Sequence, residues 1–388
     1  MTRDLRLVGA SLLCWGIGEG LFYIFLPLYL KELGADPARI GLILGLSTAA
    51  MAVTHIPAGT LADLFGRRAL MIAGWAVGAI ASAVMYAATG MPLFIAGMLL
   101  YGFTGFVLSP LNSYVISARG RLTPARALGF IGSLFHTGAI LGSLAGGLIG
   151  QRVGLRYVFL GATCLFLVST SFLFFARHQP VEAPEGHHRY RPLLRNASFG
   201  RFLGIAGLAT LALFLGTPLA PNYLQEVHHI RLEEIGLYGS LVELSIVLLS
   251  QLLPRLGSRR GLVIAHVLVA VGLLSLWRGA SAYWFGLGYF LTGAFRTARL
   301  LLTAQADTYL QRSQIGLAYG ILETVASVMM VLAAPIAGRL YAIRPSLPFE
   351  AALVLIVVSL LAQAGGLPPG LRPATAPAEV PGPPLREI

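Results

Sequence analysis

The sequence predicts an all-α integral membrane protein with twelve transmembrane helices arranged as two pseudo-symmetric six-helix bundles. Its 388 residues are 56% hydrophobic and only 11% charged, far from the composition of a soluble domain. Apolar runs of about 20 residues, each long enough to cross about 30 Å of hydrocarbon as a helix, recur along the chain. Because lipid offers the backbone no hydrogen bonds, these runs must be helices.

The twelve expected spans are numbered in chain order. They lie at about residues 7–30, 40–62, 69–88, 92–117, 127–150, 157–176, 200–224, 236–255, 262–278, 282–306, 316–341 and 349–366. The first run is too long for a signal peptide and is interrupted by Glu19. We therefore expect it to remain in the protein as span one.

A polar loop divides the spans into two groups of six. Residues 177–199 contain several prolines and charged side chains, which indicates a linker between a bundle at 1–176 and a second at 200–366. The tail at 367–388 is rich in proline and alanine and is expected to be disordered.

Short matches between the two groups indicate an internal repeat. The segment Pro27–Glu32 at the end of span one resembles Pro221–Glu226 at the end of span seven. In the same way, Gly147 in span five matches Gly338 in span eleven. Two parallel halves with a substrate site between them near the membrane midplane are the expected architecture.

The basic residues predict the orientation of the chain. Most of them fall in loops on the side of the N-terminus, including the pairs Arg67 with Arg68 and Arg259 with Arg260. Since positive residues collect on the cytoplasmic side, both termini are expected in the cytoplasm, with the chain crossing the inner (plasma) membrane many times.

Several function classes are disfavoured by composition. The net charge is +12, but the basic residues are scattered over short loops, which favours contact with anionic lipids over nucleic acid. Cys14 and Cys164 both lie in apolar spans and predict neither disulfide nor metal site. Without a P-loop or a hydrolase motif, we expect no cofactor and no enzyme activity.

A charged hairpin between spans two and three is the most specific motif. It carries Gly59, Asp63, Gly66, Arg67 and Arg68, and it resembles motif A of the major facilitator superfamily, although Leu64 replaces the usual basic residue. The resemblance covers about residues 5–366. It implies that spans one, four, seven and ten line the cavity. It also implies that Asp63 helps to hold the cytoplasmic side closed, with Arg67 and Arg119 as partners.

Two further motifs of that family are partly present. Gly138, Gly142 and Gly146 follow each other at intervals of four in span five, as in the antiporter motif C, although Ser143 stands at its proline position. Such a stripe permits close packing of helices, so the resemblance implies a part in gating. Span four has Tyr101 in the region of the buried arginine of motif B, and we place Tyr101 among the substrate-binding candidates.

Charged residues inside spans are functional candidates, because each costs about 2.5–3.5 kcal/mol at the membrane centre. The first choice is Glu19, which shares a helix face with Trp15 and Tyr23, so that an acid lies between two aromatic rings that suit a lipophilic cation. Burial disfavours a charged carboxylate, which would let Glu19 exchange protons near neutral pH. The alternative is that Glu19 only bonds to a neighbouring helix.

Span ten carries Arg296 and Arg299 on one face. They are expected either to join an internal ion-pair network, with Glu243 and Glu323 as partners, or to capture a carboxylate or phosphate directly. Glu323 is the second candidate for proton coupling, followed by Glu243. His136 could relay protons or simply bond across a helix interface.

Together these features predict a secondary transporter working by alternating access, most simply a monomeric, proton-coupled exporter of small amphiphilic or drug-like molecules. One alternative is a symporter or uniporter for an organic anion or sugar that uses Arg296 and Arg299. Another is a membrane receptor or scaffold that kept the fold without transport. The expected partners are a small-molecule substrate, protons and the lipid bilayer.

Overall fold

The computed structural model describes residues 1–179, 197–306, 309 and 315–366, except for the side chains of residues 55–64, 315–317 and 366. Within these ranges the regular elements are all helices. The prediction of an all-helical membrane fold is confirmed. Most of the expected linker and the whole tail at 367–388 lie outside the described residues.

The first six spans follow the expected order, with two short internal breaks. A turn of 3₁₀ helix interrupts span one at Tyr23–Phe25 and span four at Thr104–Val107. The six spans are Arg3–Glu32, Pro37–Phe65, Arg67–Ala87, Met91–Ala118, Pro124–Arg152 and Arg156–Phe174.

The last six spans repeat this order. Span seven consists of Ala197–Phe214 and Ala220–Val227, and spans eight and nine are Leu232–Leu256 and Ser258–Arg278. Span ten consists of Ala282–Thr292 and Ala294–Ala306. Spans eleven and twelve are Ile315–Ile343 and Leu347–Gly366.

Span ten differs from the other eleven expected spans, because neither of its two helices is long enough to cross a membrane. Eleven helices in the described chain are long and apolar enough to cross a membrane, and span ten is absent from that set because Gly293 divides it. A side chain at Gly293 would come within 2.7 Å of Ser245 Oγ. The glycine therefore permits span ten to pass very close to span eight at the point where its helix is interrupted.

The two ends of the bundle are distinguished by their contacts. Span one begins beside the ends of spans four and six, since Thr2 bonds to the Ala118 carbonyl and the Arg177 amide donates to the Asp4 carboxylate at 3.3 Å. We call this end the termini face. Span one ends at the opposite face, where Lys31 lies 2.9 Å from Glu226 of span seven.

The two halves are joined at the opposite face. There Asn222 donates to the Pro27 carbonyl at 3.2 Å, and the Leu232 amide donates to Gln151 at 3.0 Å. Towards the middle, the Ser240 hydroxyl donates to the Ile140 carbonyl at 2.8 Å. Every hydrogen bond or ion pair described between the halves lies at this face or near the midplane.

Two glycine crossings close the opposite face, one at each of the pseudo-symmetric interfaces between halves. In the first, spans two and eleven meet at Gly41 and Gly338; in the second, spans eight and five meet at Gly236 and Gly147. A Cβ at Gly41 would lie 2.9 Å from the Cα of Gly338, and a Cβ at Gly236 would lie 2.9 Å from the Cα of Gly147. The repeat seen in the sequence thus becomes a repeated contact.

The interfaces open towards the termini face. Gly129 and Gly132 of span five, and Gly320 of span eleven, would meet no atom of the described residues within 4 Å if each gained a side chain. Glu323 of span eleven is also largely exposed. Within the part of the chain that the structure describes, the two halves are therefore joined at the opposite face and apart at the termini face.

Candidate functional site

Glu19 lies in span one, near the middle of the bundle, and is held by two donors from its own half. The Tyr101 hydroxyl donates to Glu19 Oε2 at 2.7 Å, and the Trp15 indole N–H donates to the same oxygen at 3.1 Å. The other oxygen, Oε1, accepts no hydrogen bond from the described residues. The carboxyl group is thus fixed at one oxygen and uncommitted at the other.

An aromatic wall supports this acid. It consists of Trp15 and Phe22 of span one, Trp75 of span three, Tyr101 of span four and Phe166 of span six. The Trp15 and Phe166 rings stack with centroids 4.1 Å apart, and Trp15 lies 4.8 Å from Trp75. Four spans therefore lock the rotamer of Trp15, and through it the position of Glu19.

Sequence reasoning placed Trp15 and Tyr23 on either side of Glu19 as substrate contacts. The structure buries Trp15, whose exposed fraction is 7%, whereas Tyr23 is 55% exposed. Tyr23 also lies within electrostatic range of Glu19 and of Arg296 from the other half. Tyr23 is therefore an exposed side chain near charged groups of both halves, while Trp15 positions Glu19.

Arg296 is a charged residue of the C-terminal half near Glu19. Its side chain is exposed, and it lies within electrostatic range of Glu19. Among the described residues it makes no ion pair and no side-chain hydrogen bond. A cation of one half is therefore set opposite an anion of the other.

Arg299 has a different environment, although it is only three residues further along. Its guanidinium forms an ion pair with Glu323 of span eleven and approaches the sulfur of Met330 at 3.9 Å. Glu323 was an expected partner, and the pair lies within the C-terminal half. The two arginines of span ten are therefore not equivalent.

His136 and Glu243 join the halves near the midplane. His136 Nδ1 of span five lies 2.7 Å from Glu243 Oε2 of span eight. Both side chains are about one fifth exposed. Sequence reasoning named both residues separately, and the fold brings them together as one acid and base pair across the interface.

The glycine stripe of span five packs against span one. Side chains at Gly138, Gly142 and Gly146 would overlap the backbone carbonyls of Leu13, Ile17 and Leu21 respectively. Since Glu19 lies between Ile17 and Leu21, the stripe fixes the helix that carries the central acid. It does not lie on the surface between the halves.

The hairpin between spans two and three anchors its arginines within the N-terminal half. Arg67 donates to Ser117 at 2.8 Å, and Arg68 donates to the Phe174 carbonyl at 2.7 Å. Gly66, in the turn between the two helices, adopts φ 82°, a conformation that favours glycine.

The predicted partners of Asp63 were Arg67 and Arg119. Arg119 donates to the Ile116 carbonyl. The helix of span two includes Gly59 and Asp63, and the Asp63 side chain lies outside the described part of the structure.

The aromatic wall contains three residues that sequence reasoning did not select. Phe22, Trp75 and Phe166 are apolar residues within apolar spans, so no pattern distinguishes them from lipid-facing neighbours. A weak signal was available for Trp75, because of the four tryptophans only Trp15 and Trp75 lie in the middle of a span, and Trp15 was already a candidate. For metal binding, the described residues contain no group of three or more His, Cys, Asp or Glu side chains.

Comparison with known proteins agrees with this geometry. The Multidrug resistance protein MdtG of Salmonella arizonae is 27% identical over 333 residues, which cover 81% of this chain and 82% of that protein. The structure of a mutant form of the nucleoside transporter NupG superposes with a TM-score of 0.81 at 15% identity, covering 93% and 98% of the two chains.

The human organic anion transporter MFSD10 (TETRAN) superposes with a TM-score of 0.67 at 18% identity and covers 93% of this chain and 99% of that one. At such identities these structures establish the fold alone. Residues 8–333 match the family model described as Major Facilitator Superfamily, which spans most of the sequence. This chain is therefore a transporter of the Major Facilitator Superfamily and not an enzyme.

Proposed function

We propose that the protein exports small amphiphilic or drug-like molecules in exchange for protons. The observation that carries this proposal is the Glu19 carboxyl group, which is fixed through one oxygen to Tyr101 and Trp15 while Oε1 stays uncommitted. A free carboxylate oxygen beside aromatic rings suits a lipophilic cation, because charge attraction and ring contact act together. The similarity to a multidrug resistance protein supports the same class of substrate.

Coupling follows if a proton and the substrate compete for Glu19. A bound cation requires the charged carboxylate, whereas a bound proton removes that charge. Each ligand then favours the conformation to which it binds more tightly, and only that difference in affinity drives the exchange. Arg296 lies within electrostatic range of Glu19 and stabilises its charged carboxylate once the proton has left. It therefore favours proton release from Glu19.

The orientation of the chain in the membrane decides which side of the membrane the described conformation faces. We propose that both termini are cytoplasmic in the inner membrane, so that the open termini face would admit substrate from the cytoplasm. Closure there would follow when the hairpin at Asp63 and the facing ends of the C-terminal half approach. No element of this cycle requires a second copy of the chain, which fits a monomer.

A second candidate is transport of an organic anion, and Arg296 favours it. This guanidinium faces the space between the halves without an acidic partner among the described residues, whereas Arg299 is committed to Glu323. The similarity to a human organic anion transporter is one of fold. The second candidate therefore depends on Arg296 alone and no longer on both arginines.

Transport by purified protein in vesicles separates the two candidates. A matched set of ligands with one aromatic body, carrying an ammonium group, a carboxylate or neither, would be loaded with and without a pH gradient. The first candidate predicts gradient-driven movement of the ammonium compound that is lost in Glu19→Gln and kept in Arg296→Gln. The second predicts movement of the carboxylate compound that is lost in Arg296→Gln and kept in Glu19→Gln. No movement of any compound would favour a receptor or scaffold.

A further inference from the structure

We propose that the turn between spans eight and nine binds the phosphate of an anionic phospholipid through Arg255, Arg259 and Arg260. We call these three residues the arginine trio. The proposal concerns a site on the outside of the C-terminal half, and it does not depend on which substrate is transported.

The turn is the second copy of the hairpin between spans two and three. Gly66 has φ 82° and ψ 146° in the first copy, and Gly257 has φ 85° and ψ 153° in the second. Both glycines directly precede a long helix whose first turn carries adjacent arginines. The backbone of the hairpin is therefore repeated with almost the same conformation.

The partners of the arginines are not repeated. In the first copy, Arg68 donates to the backbone carbonyls of Leu173 and Phe174, and Arg67 donates to Ser117. In the second copy, all three arginines are exposed, and among the described residues none makes an ion pair or a side-chain hydrogen bond. The first hairpin consumes its donors internally, whereas the second leaves them available to a ligand.

No acidic residue is close in sequence to neutralise the trio. The chain has no Asp or Glu between Glu243 and Asp307, so the nearest acids along the chain are 12 residues before and 47 residues after the trio, and no described acid pairs with it. Guanidinium groups match phosphate oxygens in shape and charge. The unbalanced charge therefore selects an anion, and a phosphate most of all.

The apolar residues around the trio favour a lipid over free phosphate. Leu252 and Leu256 precede the turn and are each about half exposed, at 52% and 50%, and Val263 follows it at 40%. Exposed aliphatic side chains one or two turns from the arginines match the acyl chains that lie below a headgroup. Charged side chains at the ends of spans reach such headgroups readily.

Retention of lipid by the protein measures how tightly the arginine trio binds an anionic phospholipid. The full-length protein would be placed in nanodiscs of zwitterionic lipid with a minor share of phosphatidylglycerol, and the lipids retained after extraction would be counted by native mass spectrometry. The test variant carries Arg255→Gln, Arg259→Gln and Arg260→Gln. The matched control carries Arg3→Gln, Arg121→Gln and Arg126→Gln, which removes the same charge from exposed positions of the N-terminal half.

We expect the wild type and the control to retain phosphatidylglycerol, and the test variant to bind it at least about tenfold more weakly, since each basic residue near an anionic surface contributes to binding. Excess inorganic phosphate should not displace the lipid. Equal retention by the test variant would overturn the proposal. An equal loss in the control would do the same, because it would show a general charge effect. Displacement by inorganic phosphate would identify an anion site without lipid specificity and overturn it as well.

Discussion

The two halves differ in the charged residue that each holds towards the other without an ion pair among the described residues: the acid Glu19 in the N-terminal half and the cation Arg296 in the C-terminal half. Glu19 is mounted on the aromatic wall of the first half, whereas Arg296 extends from the broken tenth span of the second. At the separation of Pro27 from Pro221, the counterpart of Glu19 is Leu213, which is fully buried. Span four, the counterpart of span ten, carries no charged residue at all.

The scaffold, in contrast, is repeated closely. Each half contributes one glycine to each of the two crossings at the opposite face, and each half has one hairpin with a glycine at positive φ. The repeat is therefore found in the helix contacts and turns, whereas the charged residues at the centre differ between the halves. Substitution of the central charged residues should therefore affect transport differently in the two halves. Substitution of the crossing glycines should shift the conformational equilibrium by a similar amount in either half.

The largest effect is expected from Glu19→Gln. The amide keeps the shape and accepts the same two hydrogen bonds, but it neither takes up a proton nor pairs with a cation, so proton-driven transport should fall by about a hundredfold or more. Uptake into vesicles under a pH gradient measures this, with Glu32→Gln at the end of span one as the control. Full activity of Glu19→Gln would remove the proposed difference between the halves.

The glycine crossings should respond equally. Gly147→Ala and Gly338→Ala each place a methyl group against the backbone of a facing helix, at 2.7 Å from the Leu232 carbonyl in the first case. We expect a cost of about 1–3 kcal/mol to the closed opposite face, and hence a shift towards a state that opens there. Accessibility of single cysteines placed at that face would report the shift.

Gly132→Ala in span five is the matched control, because no atom of the described residues lies within 4 Å of its added methyl group. It should leave the conformational equilibrium unchanged. A shift for only one of the two crossing variants would show that the repeat does not supply the frame in both halves.

Tyr101→Phe should have a moderate effect that is confined to the N-terminal half. It removes one of two hydrogen bonds to Glu19 Oε2, worth about 0.5–1.5 kcal/mol, so binding of a cationic ligand should weaken by roughly threefold to tenfold. Calorimetric titration of the purified protein measures this. Tyr283→Phe, at an exposed position, is the control, and equal losses in both variants would argue against a positioning role for Tyr101.

The smallest effect is expected from the ion pair of Arg299 with Glu323. Glu323 is more than half exposed, so water screens the pair, and a double-mutant cycle with Arg299→Gln and Glu323→Gln should give a coupling energy of about 1 kcal/mol or less in thermal stability. A much larger coupling, or a loss of proton coupling in Glu323→Gln, would place a second proton site in the C-terminal half.

The sequence predicted the frame better than the site. Motif A, the glycine stripe and the matched segments led to the right family, because each is a pattern of residues within a short stretch of the chain. The contacts at Glu19 were harder to predict, since Trp75 and Phe166 come from two other spans and look like ordinary apolar residues. The pairing of His136 with Glu243 depends on the register between two halves, which no local pattern specifies. Arg296 and Arg299 looked equivalent on one helix face, and the neighbouring span eleven distinguishes them.

Proton release on ligand binding shows whether a proton and the substrate compete for Glu19. A lipophilic ammonium compound would be titrated into purified protein by calorimetry in two buffers of different ionisation enthalpy, across a series of pH values. If proton and substrate compete for Glu19, the wild type will release protons as the compound binds, and Glu19→Gln will release none while Arg296→Gln still does. Equal proton release by Glu19→Gln and the wild type would contradict the account.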